Sequence, residues 1–315
     1  MASRRAPGAI AGLSLLAGLC SLACARAGTA APLHVACRGP VSPTPLVVLE
    51  SGAFGASSDW AEVIDDLARD GRVCAFDRAG LGQSPGPPGD VSALGRGREI
   101  GQMLDQIGWS GRVILVGHSN GGLYVEAYAR LHPERVAGIV YVNAVGTEDL
   151  AFPRLMRSLR QERRLSNLAV SLGRMGGAGL VADVLADGEA LGRAARARKR
   201  RELDHLAVLV VARDEDRAMV AGLAAVAALP PLPPTIPVVA LFGDLDPDLP
   251  LPRDWAAAEA RPALRADHGW VLDAHDATHT SPLVRDRAWL IAAVNWLRSP
   301  YRTDPAAPPA PDMPP

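Results

Sequence analysis

The chain has 315 residues, of which 48% are hydrophobic and 21% are charged, and its formal net charge is −1. This length allows one large domain or two small ones, and the composition is that of a globular protein. The balanced charge gives no reason to expect a nucleic-acid partner. Lys199 is the only lysine, so we first interpret arginine-rich runs as a bias of composition.

Residues 1–30 have the features of an export signal. Arg4 and Arg5 precede an apolar run at 9–22, and small residues suited to cleavage follow it. The run is too short to span a bilayer as a helix. We predict a signal peptide over 1–30 and an exported protein, periplasmic or extracellular. An uncleaved anchor and a lipid attached to Cys24 are the alternatives.

Cys37 and Cys74 are the only cysteines after this segment. In an oxidising compartment, two cysteines on neighbouring strands tend to form a bridge. We therefore predict a disulfide between them. Two buried free thiols are the alternative.

From residue 46 onward, short apolar runs alternate with helical patterns, which predicts an α/β domain built on a parallel sheet. The predicted strands are 46–49, 72–76, 113–116, 136–142, 237–242 and 271–272. The predicted helices are 59–69, 92–107, 123–131 and 282–297.

The strand at 113–116 leads into the sequence G-H-S-N-G at 117–121, and a helix follows. A Gly-x-Ser-x-Gly turn between a strand and a helix lifts a serine hydroxyl above the edge of the sheet. Its glycines leave room beside the strained serine. The start of the helix directs free N–H groups at the same place. We predict that Ser119 is a nucleophile; a glycine-rich turn with a solvated serine is the alternative.

Three stretches together resemble the α/β-hydrolase superfamily, and especially its small exported serine hydrolases. They are the turn S-G-A-F-G at 51–55, the loop D-R-A-G-L-G-Q-S at 77–84 and the serine turn at 117–122. The resemblance implies an α/β-hydrolase fold, with a mostly parallel central sheet, helices on both faces and a helical cap insertion. It divides the chain into a core at 31–146 and 236–299, a cap at 147–235 and a disordered, proline-rich tail at 300–315.

An oxyanion hole is also expected. In this fold the loop after an early buried strand supplies one backbone N–H, here that of Ala53, and Asn120, which follows the serine, supplies the other. Many relatives carry His-Gly where this chain has Ser51 and Gly52. A plain turn is the alternative at 51–55. The loop at 77–84 is mainly structural in such proteins.

The cap segment is helical in pattern, and only 206–211 also fits a strand. Five arginines recur at helical spacing in its first part: Arg154, Arg157, Arg160, Arg163 and Arg164. Such a stripe suits an anionic substrate or a membrane surface, and a solvated cap face is the alternative. The glycine-rich run at 173–177 indicates a hinge.

The acid that orients the base is expected after the strand at 237–242. The sequence G-D-L-D at 243–246 fits the acid turn of the superfamily, so we predict Asp246, with Asp244 as the runner-up. Asn143 occupies a place where some relatives carry their acid, but an amide cannot supply the charge. A calcium loop is disfavoured because Leu249 stands where such a loop needs glycine.

His279 is the predicted base because Ser281 and Pro282 suit the start of a helix immediately after it. His268 and His275 are alternatives that order along the chain does not exclude. A metal site at His275 and His279 would need a helix to align them, and the turn residues argue against one.

The predicted function is hydrolysis of a carboxylic ester or related acyl bond through Ser119, His279 and Asp246, with an acyl-enzyme intermediate and without cofactor or metal. The expected partner is a small acyl substrate. Amide, thioester and carbon–carbon cleavage stay open. A membrane-associated lipase or acyltransferase and a non-catalytic binding module on the same fold are the alternatives. Membrane contact is expected only through the signal segment or the cap.

Overall fold

The computed structural model describes residues 31–84, 86–187, 191–243, 252–274 and 277–299. The predicted signal peptide at 1–30 and the predicted tail at 300–315 lie outside these residues. Residues 31–315 form one compact unit. The predicted cap is therefore part of the same unit as the predicted core.

A seven-stranded sheet forms the centre of this unit. Its strands are β1 (Val35–Arg38), β2 (Leu46–Glu50), β3 (Val73–Phe76), β4 (Val113–His118), β5 (Val136–Val142), β6 (Val238–Gly243) and β7 (Gly269–Ala274). Their spatial order is β1-β3-β2-β4-β5-β6-β7. Only β1 runs antiparallel to its neighbour, β3, and the other pairs are parallel. The sheet is thus mostly parallel, as predicted.

Helices cover both faces of the sheet. One face packs against α1 (Ile64–Leu67) and α9 (Arg287–Arg298), and the other against α2 (Ala93–Gln106), α3 (Gly121–Leu131) and α8 (Pro252–Arg265). Four further helices lie between β5 and β6: α4 (Pro153–Leu172), α5 (Ala178–Asp187), α6 (Arg193–Leu203) and α7 (Leu206–Ala227). These four helices fall within 147–235, and we call them the cap.

The strand β4 shows why the apolar runs form this sheet. All six of its residues are buried. Ile114 and Val116 belong to the core beneath α1 and α9, whereas Val113 and Leu115 belong to the core beneath α2 and α3. Successive side chains of a strand point to opposite faces, so positions 113–116, which are covered on both faces, are all apolar.

The structure corrects two predicted helices. The helix predicted at 59–69 is split into a 3₁₀ turn at Ser57–Trp60, the short α1 and a second 3₁₀ turn at Ala68–Asp70. The Asp59 carboxylate accepts hydrogen bonds from Ala56 N–H at 3.3 Å and from Lys199 Nζ at 2.5 Å. These bonds cap the start of the first turn and tie it to the cap helices.

The last helix begins later than predicted. Ser281 and Pro282 start a 3₁₀ turn, Ser281–Leu283, and α9 starts at Arg287. The Ser281 hydroxyl accepts a hydrogen bond from Thr278 N–H at 2.8 Å, so it caps the turn next to His279 instead of a long helix. The run at 206–211 is not a strand but the first part of α7, whose 22 residues are too many for a strand.

Cys37 and Cys74 are joined in a disulfide. They stand opposite each other in the antiparallel pair of β1 and β3. The bond fastens the edge strand β1 to the sheet across 37 residues of sequence.

We expect the variant Cys37→Ser/Cys74→Ser of the unit 31–315 to lose about 3–4 kcal/mol in its free energy of unfolding, because the bridge restricts the unfolded chain. Urea denaturation measures the loss. Thiol titration of the denatured, unreduced unit provides the control, and two titratable thiols there would show that the bridge does not form.

Candidate active site

Ser119 stands at the sharp turn between β4 and α3. Its backbone has a φ of 52°, which is rare for a residue with a side chain and marks strain. Its N–H donates to Val142 O at 3.2 Å. A Cβ on Gly52 would lie 2.8 Å from Ser119 Cβ, so the loop after β2 approaches the serine as closely as only glycine allows.

Ser119 and His279 line one cavity of about 700 Å³ between the sheet edge and the cap. Ala53 lines the same cavity. Much of the remaining lining consists of aliphatic side chains from the cap: Leu165, Leu168, Leu172, Leu180, Val181, Val184, Leu185 and Leu191. The cavity therefore suits a substrate with a substantial apolar part.

The backbone N–H groups of Ala53 and Asn120 are the predicted oxyanion donors. Neither donates a hydrogen bond to another group in the described part of the chain. The Gly52 carbonyl points to Arg78. Because a trans peptide directs its C=O and the following N–H to opposite sides, the N–H of Ala53 faces away from Arg78.

Arg78 holds this loop from beneath. Its guanidinium donates to Ser51 O at 2.8 Å, to Gly52 O at 2.9 Å and to Glu50 Oε1 at 2.6 Å. It also binds both carboxylate oxygens of Glu215 on α7, at 2.9 and 3.0 Å. Arg78 is only 1% exposed, and each of its five N–H groups donates a hydrogen bond in this buried network. The loop at 77–84 thus supports the candidate oxyanion site.

The buried network contains more carboxyl groups than guanidinium groups. Arg96 Nε lies 2.7 Å from Glu215 Oε1, and Arg96 Nη1 lies 2.6 Å from Glu99 Oε1. Burial raises the pKa of Glu50 to about 7, against the opposing effect of Arg78, and burial also raises the pKa of Glu99.

His279 is held by its backbone. Its carbonyl accepts hydrogen bonds from His118 Nε2 at 3.0 Å and from Asn143 Nδ2 at 3.0 Å. Since a carbonyl only accepts, His118 must carry its proton on Nε2. Asn143 also accepts from Gly243 N–H at 3.1 Å, which joins the His279 loop to the end of β6.

The imidazole of His279 is half-buried and lies close to two other rings. Its centroid lies 4.8 Å from that of His118 and 6.0 Å from that of Trp255. Burial, and to a smaller extent His118, lowers the pKa of His279 to about 3. A neutral imidazole is the form that accepts a proton, as a general base requires.

The other predicted candidates differ in what the structure describes. Asp246, Asp244 and His275 lie outside the described residues. His268 is exposed and directly precedes β7, at the amino end of that strand. It therefore lies at the edge of the sheet opposite Ser119. Within the described residues, no group of three or more His, Cys, Asp or Glu side chains is placed to hold a metal ion.

A carboxyl group of the cap contacts the residue after the serine. Asp216 on α7 lines the cavity and accepts a hydrogen bond from Asn120 Nδ2 at 3.2 Å. Burial raises the pKa of Asp216 to about 7, and the nearby Glu162 raises it further, while hydrogen bonds from Ser166 and Asn120 lower it. Burial also raises the pKa of Glu162, which lines the same cavity.

Comparison with known proteins agrees with this architecture. Residues 45–185 match the family described as the alpha/beta hydrolase fold. A thermophilic esterase from Thermogutta terrifontis has a similar structure, with a TM-score of 0.60 and 21% identity over 86% of this chain and 96% of the esterase chain. The chain has the α/β-hydrolase fold, and its residues 45–185 match the family of that name.

Two curated α/β-hydrolase relatives match shorter stretches. A candidate carbamate hydrolase, RutD, of Pseudomonas savastanoi pv. phaseolicola is 40% identical over 101 residues, which is 32% of this chain and 39% of the relative. The 2-hydroxy-6-oxo-6-(2'-aminophenyl)hexa-2,4-dienoic acid hydrolase of Metapseudomonas resinovorans is 32% identical over 104 residues, 32% of this chain and 36% of the relative. The chain thus spans about two fifths of the length of these relatives.

Sequence reasoning missed four residues that shape this α/β-hydrolase site. They are Arg78, His118, Asn143 and Asp216. Asn143 carried a signal, because it follows a buried strand at the functional edge, but it was tested only as an acid. Arg78 also carried a signal, because it is a charged residue in a loop between buried elements. Nothing in the local sequence connects Asp216 with Asn120, since 96 residues separate them.

We expect Arg78→Met to lower the free energy of unfolding by about 3–5 kcal/mol, because Glu50 and Glu215 lose their buried counter-charge. Urea denaturation measures the change. Arg98→Met is the matched control: its side chain is 56% exposed and pairs with Asp90 at the surface, so it should cost about 1 kcal/mol or less. Equal losses in the two variants would contradict the role given to Arg78.

We expect Asn143→Asp to lower kcat by about 10²-fold with little change in KM, because an oxygen replaces the amide that holds the His279 carbonyl and the base shifts. Aspartate keeps the acceptor for Gly243 N–H and tolerates the φ of 43°. Asn295→Asp on α9 adds the same charge outside the cavity and should keep full activity. An Asn143→Asp variant as active as this control would show that the anchor is dispensable.

Proposed function

We propose that the chain is a serine hydrolase that cleaves a carboxylic ester or a related acyl bond through Ser119, His279 and Asp246. The observation that carries this proposal is the cavity lined by Ser119, His279 and Ala53, together with the N–H groups of Ala53 and Asn120, which donate to no other group in the described part of the chain. A strained serine beside two free N–H groups and a neutral imidazole suits acyl transfer.

In the proposed mechanism Ser119 Oγ attacks the substrate carbonyl while His279 accepts the hydroxyl proton. The N–H groups of Ala53 and Asn120 stabilise the oxyanion, and each contributes about 3–4 kcal/mol to transition-state stabilisation. His279 returns the proton to the leaving alcohol, which departs and leaves an acyl-serine. A water molecule then loses a proton to His279 and attacks the acyl carbon, and His279 returns that proton to Ser119 Oγ as the bond to the acid breaks. Asp246 orients the imidazole throughout.

A carboxylic ester with an apolar acyl group is the substrate class that we favour. The aliphatic cap wall supports an apolar acyl group. The names of the relatives, a carbamate hydrolase and a hydrolase of an aminophenyl-hexadienoic acid, make a carbamate and a carbon–carbon bond the two alternatives to an ester. All three reactions use an activated serine, so activity on matched substrates distinguishes them.

We also propose that the protein is exported. The Cys37–Cys74 disulfide supports this, because such bonds persist in oxidising compartments. The signal that would direct export lies at 1–30.

We expect the wild-type protein to react with a fluorophosphonate probe and to hydrolyse p-nitrophenyl esters, and Ser119→Ala to do neither while keeping its far-UV circular dichroism. The serine supplies the bond to the probe. Ser158→Ala is the matched control, since Ser158 lines the same cavity on α4. Labelling of Ser119→Ala would assign the nucleophile elsewhere, and an unlabelled wild-type protein would favour the binding module. Esters of graded chain length, with a carbamate of the same alcohol, then define the acyl group.

We expect Asp246→Asn to lower kcat on the order of 10⁴-fold and to move the acidic limb of the rate profile to lower pH. Burial lowers the pKa of His279 to about 3, and a neighbouring carboxylate raises it by stabilising the imidazolium. Activity is lost as the pH falls through this pKa, so removing the carboxylate extends the active range downward. Asp244→Asn is the control and should change both quantities little. The larger loss in Asp244→Asn would transfer the acid role to that residue.

A further inference from the structure

The cap carries a cluster of exposed apolar side chains at the mouth of the cavity. We call it the apolar cap face, and it consists of Leu165, Leu168, Met175, Leu180 and Val184. Each of these side chains is between 54% and 76% exposed. They lie within 20 residues of sequence, and among the described residues only four other large hydrophobic side chains are comparably exposed: Val41, Leu150, Leu206 and Leu264. Single exposed apolar residues are ordinary, whereas a cluster marks a surface that binds something.

The apolar cap face continues into the cavity. Leu165, Leu168, Leu180 and Val184 are at once exposed and part of the cavity lining. An apolar chain that enters here passes from the outer surface to the wall beside Ser119 along aliphatic side chains. The surface and the candidate active site are therefore one continuous apolar path.

Positive charge surrounds this path. Helix α4 contains five arginines and a single acidic residue, Glu162. Four of the arginines, Arg157, Arg160, Arg163 and Arg164, are exposed and have no ion-pair partner among the residues that the structure describes. Unpaired guanidinium groups beside apolar side chains fit phosphate groups above an apolar layer.

The spacing on α4 places charge and apolar residues in one row. Arg157, Gln161, Arg164 and Leu168 are four, three and four residues apart, so they lie along one side of the helix. Gln161 and Leu168 line the cavity, so this row is its outer rim. Arginine side chains at such a rim reach polar head groups while their methylene stems stay on apolar surface.

The same helices are too firmly packed to cross a bilayer. The stretch Pro153–Ala186 is long and apolar enough to span one by length and composition. However, Leu155, Leu159 and Val170 on α4 and Ala182 on α5 are buried in the protein, and Gly176, with a φ of 87°, breaks the stretch. One side of the helices faces the protein, so lipid can reach only the other side.

We propose that the apolar cap face docks the protein on an anionic lipid bilayer, with its leucines among the acyl chains, Arg157 and Arg164 at the phosphate groups and the cavity open to the membrane. This geometry is that of an interfacial amphipathic helix. It would let a membrane lipid or another apolar ester reach Ser119 without crossing water. The binding itself does not depend on hydrolysis, so Ser119→Ala should dock as the wild-type protein does.

The test is flotation of the compact unit 31–315 with vesicles, which removes any contribution of the apolar run at 9–22. We expect the protein to float with vesicles that contain phosphatidylglycerol and not with pure phosphatidylcholine vesicles, and less so at high salt. Arg157→Gln/Arg164→Gln should lower the partition coefficient about 30-fold, since each basic residue at an anionic surface contributes about 1 kcal/mol. Met175→Gln should lower it at low and high salt alike, because the lost contribution is apolar.

Two controls give these results their meaning. Arg69→Gln/Arg98→Gln removes the same charge from exposed positions outside the cap and should float as the wild-type protein does. Arg157→Gln/Arg164→Gln should hydrolyse a short soluble ester at the wild-type rate, because neither arginine lines the cavity.

Three outcomes would overturn the proposal. They are a wild-type protein that does not float with anionic vesicles, an Arg157→Gln/Arg164→Gln variant that floats equally well, and equal effects in the two double variants. Sedimentation equilibrium tests for a different occupant of the apolar cap face. If the protein does not float but forms dimers, and Met175→Gln dissociates them, the face binds a second copy of the chain. If Ser119→Ala loses hydrolysis but still floats with the vesicles, membrane binding is independent of the proposed reaction.

Discussion

The buried guanidinium of Arg78 is the interaction on which the candidate site depends. A charged group without water is costly in itself, so it persists only where partners satisfy it completely. Here the partners are two carbonyls of the loop after β2 and the carboxylates of Glu50 and Glu215. Fixing the Gly52 carbonyl also fixes the direction of the next N–H, because both belong to one rigid peptide plane. A charge beneath the loop thus orients a neutral donor on its other side, in advance of any substrate, and preorganised donors stabilise an oxyanion better than mobile ones.

The cap is coupled to both halves of this donor pair through consecutive residues of α7. Glu215 binds Arg78, which holds the loop of Ala53, and Asp216 binds Asn120, whose backbone N–H is the second proposed donor. Adjacent residues on a helix point in directions about 100° apart, so one helix turn can reach both loops at once. The cap is therefore more than a lid over an apolar cavity, because a movement of α7 would alter both donors together. Lys199 and Glu202 on α6 add contacts with Asp59 and Ser58 near the same loop.

The sequence was sufficient to predict the strands of the sheet, but it was not sufficient to predict the contacts between the loops. Strands such as β4 and β5 were predictable because a strand covered on both faces must be apolar throughout, and the turn at Ser119 was predictable because its backbone demands glycine on both sides. The start of α9 was misplaced because Ser281 and Pro282 suit a 3₁₀ turn as well as an α-helix, and the two differ only in bonds made further along. The apolar run at 206–211 was ambiguous because its β-branched residues fit a strand or a buried helix. Only the length of the whole element distinguishes the two. Asp216 and Asn120 meet only when the cap folds onto the core, which no local pattern encodes.

Asn143 lies next to the His279 loop and contributes to the site as an amide, not as an acid. It follows β5 at the edge of the sheet where Ser119 follows β4. As an amide it instead donates to the carbonyl of His279 and accepts from Gly243. His118 donates to the same carbonyl, so two side chains fix the backbone of His279, the proposed base. Among the described residues neither ring nitrogen of His279 has a hydrogen-bond partner, so both are open for proton transfer and for the proposed acid. Asn143 also accepts a hydrogen bond at the end of β6, the strand that precedes Asp246. It therefore links the two segments of the chain that would supply the base and the acid.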